Sequence, residues 1–262
     1  MGNSATTHKV IQITDPHLGR EHGDELLGLN TDESLSDVLL ALVDGDLVVA
    51  SGDISNDGSA ESYRRFVDTV TTQIHCPLVC LPGNHDDDEV MQRVMGPAVM
   101  NRMIIMGKWI LIMLNSRVPG FEHGDLTDSE LQFLDSILSK HPNYHAMVFL
   151  HHQPVPVGSA WIDQYVVRRA EEFFQVIDKH SNVRIISWGH VHQDFHQVRN
   201  GVDLYASPST CVQFKPDCDD FTIDPAMPGY RTFDLLDDGT HSTAIERVME
   251  KTYSIDFASN GY

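Results

Sequence analysis

Five short apolar runs, each ending in a carboxylate, an amide or an imidazole, constrain this chain more than any other feature. Lys9-Val10-Ile11-Gln12-Ile13-Thr14 ends in Asp15-Pro16-His17, and Asp46-Leu47-Val48-Val49-Ala50-Ser51 ends in Gly52-Asp53. Cys76-Pro77-Leu78-Val79-Cys80-Leu81 runs into Pro82-Gly83-Asn84-His85-Asp86. The runs at 145–150 and 182–188 end in His151-His152 and in Gly189-His190-Val191-His192. Short β-branched and aliphatic runs bounded by Gly, Pro and polar residues read as buried strands. Between the first three lie helical patterns: Leu35, Val38, Leu39 and Leu42 after Thr31-Asp32-Glu33-Ser34, then Tyr63, Phe66, Val67 and Val70. Strands alternating with helices predict βαβ units, a mostly parallel sheet, and a site at the carboxyl ends of the strands.

Further along, residues 86–95 read as a short helix. The runs 102–106 and 109–114 about Gly107-Lys108 read as a hairpin, where an antiparallel portion begins. Thr127-Asp128-Ser129-Glu130 has the capping-box pattern and opens a helix to about residue 140. A second helix is expected from residue 163 to about 179, and Asn200-Gly201 marks a hairpin within 194–207. Residues 208–228 hold four Pro and two Cys and are expected to fold over the surface. Two last strands meet at Asp238-Gly239, and 254–262 is a polar tail. With no repeat or interdomain linker, residues 1–262 read as one α/β domain, long enough for a substantial core.

The formal net charge of -20 disfavours nucleic acid and anionic membranes as bulk partners. It also repels an anionic substrate. A phosphate site here needs its own concentrated positive charge, which bound metal ions would supply. The polar start at residues 1–8 lacks a signal-peptide pattern, and no apolar run approaches the ~18 residues of a membrane span. A cytoplasmic protein with no obligate protein partner is the expectation. Cys76 and Cys80 frame a buried strand, and Cys211-x6-Cys218 has neither zinc-ribbon nor thioredoxin spacing. Structural free thiols are the plainer reading, with a disulfide as the alternative.

The strand ends together offer Asp15, His17, Asp53, Asn84, His151, His190 and His192 as metal-type ligands. Singly, an Asp or Asn past a strand is usually a turn or cap residue. Jointly the set suffices for two metal ions sharing one carboxylate, and ions ~3.5–4 Å apart suit displacement at phosphorus. An Asp, Asn and His set without Cys fits Mn, Fe and Zn about equally by softness.

Asp15-x-His17, Gly52-Asp53, Gly83-Asn84-His85-Asp86, His151 and Gly189-His190-x-His192 resemble, in order, the five signature blocks of the calcineurin-like metallophosphoesterase superfamily. The likeness spans residues 9–192, with every ligand position filled. Further blocks are similar to those of the bacterial class III 3',5'-cyclic AMP phosphodiesterases of the CpdA type. These are Gln12 to Leu18, His151-His152-x-Pro154-x-Pro156-x-Gly158-x-x-Trp161-x-Asp163, and Pro208-Ser209-Thr210-Cys211-Val212-Gln213-Phe214-Lys215-Pro216-x-Cys218. The departure is Pro16, where the family commonly has Thr or Ser; the position is not a ligand.

The resemblance implies a four-layer α/β/β/α sandwich of two mixed sheets flanked by helices. It implies two divalent ions, Fe or Mn foremost and Zn also compatible. Asp15, His17, Asp53 and His192 would hold the first, and Asp53, Asn84, His151 and His190 the second. It implies hydrolysis of cyclic AMP, a small-molecule cyclic nucleotide, to 5'-AMP by a hydroxide bridging the ions. Asp53 would hold both ions and His85 would protonate the leaving oxygen. The substrate would face His17, Asp53, Asn84, His85 and His192. Another small phosphodiester is the alternative substrate, and a non-catalytic protein-binding scaffold is the remote alternative.

Adjacent side chains on an extended segment point opposite ways, so one of His151 and His152 is expected to ligate; the family pattern favours His151. Of the remaining histidines, His123 and His196 are candidates for the site rim and the others read as surface. Asp86 reads as the cap of the following helix. Trp161 and Phe214 are candidates for stacking on a base, with core packing or a lid role the plainer reading.

Overall fold

The computed structural model describes residues 6–261. Residues 1–5, most of the polar start, and Tyr262, the end of the expected tail, lie outside the described residues. The first half runs β1 (Thr7–Ile13), the short ladder β2 (Glu25–Leu26) and β3 (Leu29–Asn30), α1 (Thr31–Leu40), β4 (Leu47–Ala50), α2 (Ala60–Gln73), β5 (Leu78–Cys80), α3 (Asp88–Val99), β6 (Met103–Met106), β7 (Trp109–Met113) and α4 (Asp128–Lys140). The second half runs β8 (His145–Phe149), α5 (Ala160–Asp163), α6 (Ala170–Ile177), β9 (Val183–Trp188), β10 (Phe195–Arg199), β11 (Val202–Ala206), the ladder β12 (Gln213–Phe214) and β13 (Ile223–Asp224), β14 (Gly229–Leu236) and β15 (His241–Arg247). Asn30, Ser59, Asp87 and Thr127 each cap a helix by accepting a backbone N–H from three residues on.

Two mixed sheets form, in the orders β15-β14-β1-β4-β5 and β10-β11-β9-β8-β7-β6. In the first, β1, β4 and β5 are parallel, with β14 and β15 antiparallel. In the second, β7, β8, β9 and β11 are parallel. Only β6 and β10, at its edges, run antiparallel there. The antiparallel portion expected after residue 102 is therefore one edge strand, and the parallel pattern resumes at β8.

Three apolar layers explain why the runs are continuous rather than alternating. Val10, Val49 and Val79 of the first sheet pack against Leu111, Met147, Phe149 and Ile185 of the second. The opposite face of the first sheet, Ile11, Ile13, Val48 and Ala50, packs on Leu35, Val38, Tyr63 and Phe66 from the helices. The outer face of the second, Ile110, Ile112, Val148 and Ile186, packs on Leu131, Leu134, Leu138 and Phe173. Strands covered on both faces have no solvent side to make polar. The result is the four-layer α/β/β/α sandwich expected.

One local expectation holds and two change. Helix α3 is kinked at Gly96 (φ 74°) just before Pro97, so its regular part ends where the sequence suggested. The helix expected to run to about residue 179 is only α6, and the short α5 falls in the stretch expected to be a loop, with 164–169 between them. The segment 208–228 is not wholly superficial: Ser209, Thr210, Cys211, Val212, Gln213 and Phe214 are buried. They are drawn in by hydrogen bonds from the Thr210 N–H to the Thr14 carbonyl (3.0 Å) and from the Ser209 hydroxyl to the Asp15 carbonyl (2.7 Å). All four cysteines are free thiols.

Candidate metal centre

The strand ends of β1, β4, β5, β8 and β9 deliver their polar residues to one place by an unusual backbone. Asp15 (φ 53°), His17 (48°), Asp53 (48°), His190 (63°) and His192 (48°) all sit in the left-handed region. That conformation costs about 1–2 kcal/mol per non-glycine residue and persists where the surroundings fix it. Here the Asp15 N–H donates to the Gly52 carbonyl (3.0 Å), His17 to Asp53 (3.0 Å), and Gly189 to His151 (3.1 Å). Three glycines let the turns approach. A Cβ at Gly52 would meet the His151 ring, one at Gly83 the Asp53 carboxylate, and one at Gly189 Thr14 and Asp15.

Hydrogen bonds then set the rings. The Nδ1 of His151 lies 2.9 Å from the Ser51 carbonyl oxygen, and that of His192 lies 2.8 Å from the Val212 carbonyl oxygen. The Nδ1 of His17 faces Asn56 Oδ1 at 3.3 Å, and that of His85 faces the Asn56 carbonyl oxygen at 3.2 Å. An oxygen acceptor at Nδ1 selects the Nδ1–H tautomer and turns Nε2 into the donor available to a ligand. The Nε2 atoms of His17 and His192 are 3.3 Å apart. Two lone pairs at that separation repel unless a proton or a cation shares them. His151 Nε2 lies 3.1 Å from Asp53 Oδ2 and 3.8 Å from Asp15 Oδ1; His17 Nε2 lies 3.8 Å from Asp53 Oδ2. Asp53 thus stands between the two groups of rings. Its Oδ1 accepts the His85 N–H at 2.9 Å.

The electrostatics are those of a buried anionic cluster. Burial works against the charge on Asp53, yet the His151, His85 and His17 rings hold it well below the ordinary carboxylate range. Burial likewise opposes Asp15, which His192 and His151 bring down. Burial pushes His17 and His190 down to about 3, leaving both rings neutral. His151 is the exception: burial disfavours its charge, but Asp53 and Asp15 outweigh it and raise the ring to about 9.

Asp15, His17 and His192, then Asp15, Asp53 and His151, then His151, His152 and His190, each offer ligand atoms within 4.8 Å of one another. The residues fit metal ions on a further ground. Both ring nitrogens of His190 and the Oδ1 of Asn84 are buried without a hydrogen-bond partner. Such groups are costly to bury unless something coordinates them. Asp15, His17, Asp53, His151, His190 and His192 thus fall in overlapping groups, and Asn84 lines the same cavity as His190. His152 differs from expectation: the chain bends at 151–152, its ring stands 4.9 Å from His151, and it joins the His190 cluster instead of pointing away. Its Nδ1 is 2.8 Å from the Ser116 hydroxyl. His196 pairs with Asp203 and stacks on Tyr205, and His123 packs beside Phe121; neither belongs to the clusters.

The comparisons with known proteins agree with this geometry. The description of the calcineurin-like phosphoesterase family matches residues 8–194. The chain belongs to the calcineurin-like phosphoesterase family. Among its relatives is the 3',5'-cyclic adenosine monophosphate phosphodiesterase CpdA of Escherichia coli K12, 39% identical over 97% of this chain and 94% of that protein. A 3',5'-cyclic-nucleotide phosphodiesterase of a Nostoc species is 37% identical over 95% of this chain and 97% of its own. The fold is shared with a dimetal phosphatase from Danio rerio, at a TM-score of 0.60 and 15% identity, covering 92% of this chain and 99% of that one.

In this phosphoesterase the supporting residues were less legible than the ligand-type ones. Asp86 is not the helix cap; Asp87 is, accepting from Val90. Asp86 is instead buried and accepts from the N–H groups of Gly83 (2.8 Å), Ile54 (3.2 Å) and Ser55 (3.0 Å) and from the Tyr63 hydroxyl (3.0 Å). It ties the loop of Asp53 to the loop of Asn84 and His85. Asn56 was not singled out, although it orients two rings; an Asn three residues past Asp53 was the available signal. The Ser51 and Val212 carbonyls leave no mark in a sequence. Among the described residues, no helix is long and apolar enough to cross a membrane.

Proposed function

We propose that this protein hydrolyses 3',5'-cyclic AMP to 5'-AMP. The observation that carries the reading is the near-full-length likeness to phosphodiesterases named for that substrate. Asp15, His17, Asp53 and His192 would hold one divalent ion and Asp53, Asn84, His151 and His190 a second. Such ions supply positive charge for the phosphoryl oxygens and activate water. Fe or Mn is our first assignment, with Zn compatible with the same donors. The chain's own contribution is orientation and proton transfer. The Nδ1 partners fix His17, His151 and His192, so each ring presents Nε2 without reorganisation. Asn84 and His85 are partly exposed, unlike the buried ligand-type residues beside them, and so stand where substrate enters. As the bond from phosphorus to the 3'-oxygen breaks, His85 donates a proton from Nε2 and the product leaves with a 3'-hydroxyl. The Asn56 carbonyl oxygen at Nδ1 holds the ring in the orientation that transfer needs. His17, Asp53, Asn84, His85 and His192 form the substrate-facing set. A cytoplasmic setting completes the proposal.

The test is a panel of cyclic AMP, cyclic GMP, glycerophosphodiesters and phosphomonoesters, run on protein reconstituted separately with Mn, Fe and Zn. Cyclic AMP should give the highest kcat/KM with at least one metal. Turnover of phosphomonoesters alone, under every metal, would overturn the reading.

A further inference from the structure

A cavity of about 320 Å³ opens directly from the substrate-facing residues. Its inner end is Asn84, His85 and His190. Trp161, Ile162, Tyr165 and Phe221 give it an aromatic and apolar wall, which also carries the Glu122 carboxylate. Its volume lies within the ~300–1,000 Å³ of small-ligand sites. A cyclic nucleotide with phosphorus at the inner end has to put its base elsewhere. Of the residues lining this cavity, the aromatic ones are suited to a flat π-system.

Trp161 is built into that wall. Its ring is edge-on to Phe214 at 5.2 Å and to Phe221 at 5.0 Å. Phe214 in turn stacks on the His192 ring at 4.2 Å, the two planes nearly parallel at 8°. The three rings brace one another, so the indole is held in place without reorganisation when a flat π-system packs on it.

The outer wall comes from the far end of the chain, through Asn260 and Gly261. The segment leading there is pinned. The Tyr253 hydroxyl donates to Asp37 (2.8 Å), the Asp256 N–H donates to the Leu27 carbonyl (2.8 Å), and Ile255 packs on the main core. The Ser259 N–H donates to the Asp256 carbonyl at 3.1 Å and turns the chain towards the cavity. The polar tail of the sequence is thus part of the active-site wall. An Asn amide pairs two-pronged with adenine, accepting from the exocyclic amine and donating to the adjacent ring nitrogen. Guanine presents two acceptors at the same edge and loses one of those bonds.

We propose that this cavity is the nucleobase subsite, with Trp161 as its stacking wall and Asn260 as the residue that favours adenine over guanine. The assignment rests on the cyclic nucleotide reading above. Its test uses full-length, metal-loaded protein and three substrates: cyclic AMP, cyclic GMP and methyl 4-nitrophenyl phosphate, a diester with no base. Trp161→Leu removes the aromatic face; it should lower kcat/KM for cyclic AMP at least fivefold more than for the base-free diester. Asn260→Ala should narrow the preference for cyclic AMP over cyclic GMP about tenfold. If both variants reduce all three substrates equally, Trp161 acts on the metal centre through Phe214 and His192, and the assignment falls. It falls equally if neither variant changes any ratio while the wild type hydrolyses cyclic AMP. A wild type that cleaves the base-free diester but no cyclic nucleotide would instead defeat the functional reading on which the subsite depends.

Discussion

Gly83→Ala tests how tightly the strand ends are assembled. The φ of Gly83 is not in the left-handed region, so alanine meets no conformational penalty there. The cost is contact. The new Cβ would lie 2.5 Å from the Asp53 backbone nitrogen and 2.7 Å from its Cγ, where ordinary contact begins at 3.4 Å. Relief needs a shift of about 0.9 Å between the two loops, a distance set by the 2.5 Å and 3.4 Å separations. Neither loop yields freely. Asp53 accepts from His85 N–H through its side chain and from His17 N–H through its carbonyl, and Asp86 ties Gly83 to Ile54 and Ser55. Overpacking of this kind costs about 1–3 kcal/mol in stability. A misplacement near 1 Å at reacting groups costs on the order of 10²-fold in rate. The expected result is a hundredfold fall in kcat/KM for cyclic AMP that persists at saturating metal, with a lower urea midpoint. A variant within threefold of wild type at an unchanged midpoint would refute the claim that these loops form one rigid frame.

Three further outcomes follow from the same geometry. His85→Ala should lower kcat by about 10²–10⁴-fold, the range of a lost general acid, while metal content measured by plasma emission stays near wild type; Asn84→Ala should lose metal. Asn56→Leu removes the acceptor at His17 Nδ1 and should weaken metal affinity about 10–100-fold in competition with a chelator. Chelator-treated protein should lose stability as pH falls below about 6.5. Burial depresses His17 and His190 to about 3 and His152 well below its ordinary value, so the unfolded chain binds those protons first, from about 6.5 downwards. Asp86, raised to about 6 by burial and by Asp53, opposes with a single proton between 6 and its ordinary 3.8. His151, raised to about 9, also opposes, but most of its gain is complete by pH 6.5, where the unfolded ring takes up its own proton. Three rings against one carboxylate and the remainder from His151 give a net loss, so urea midpoints should drop between pH 6.5 and pH 5; a rise would reverse the sign of the argument.

The parallel core and the ligand-type residues were legible in the sequence for one physical reason. A strand buried on both faces is apolar throughout, as at Leu47–Ala50, where all four residues are buried. A polar donor immediately after such a run therefore stands out, and the carboxyl ends of parallel strands collect those donors in one crevice. Edge geometry was less legible. A hairpin about Gly107 announces an antiparallel pair but does not say that β7 will then pair in parallel with β8, because that choice is made by packing between distant strands.

What stayed hidden is the frame around the ligand-type residues, and Asp86 shows why. Its position after Asn84 and His85, just before a helix, has the local signature of a cap, and its neighbour Asp87 takes that role. Buried carboxylates are read correctly only when their donors are known, and three of the donors to Asp86 are backbone N–H groups, two of them from a loop some thirty residues earlier. The same holds for the segment 208–214, whose Pro and Cys content suggests surface while its backbone donates to Thr14 and accepts from the His192 ring. Backbone partners carry no residue identity. A sequence therefore exposes the groups that do chemistry sooner than the groups that hold them still, and substitutions at Gly83 and Asn56 test the part that only the structure reveals.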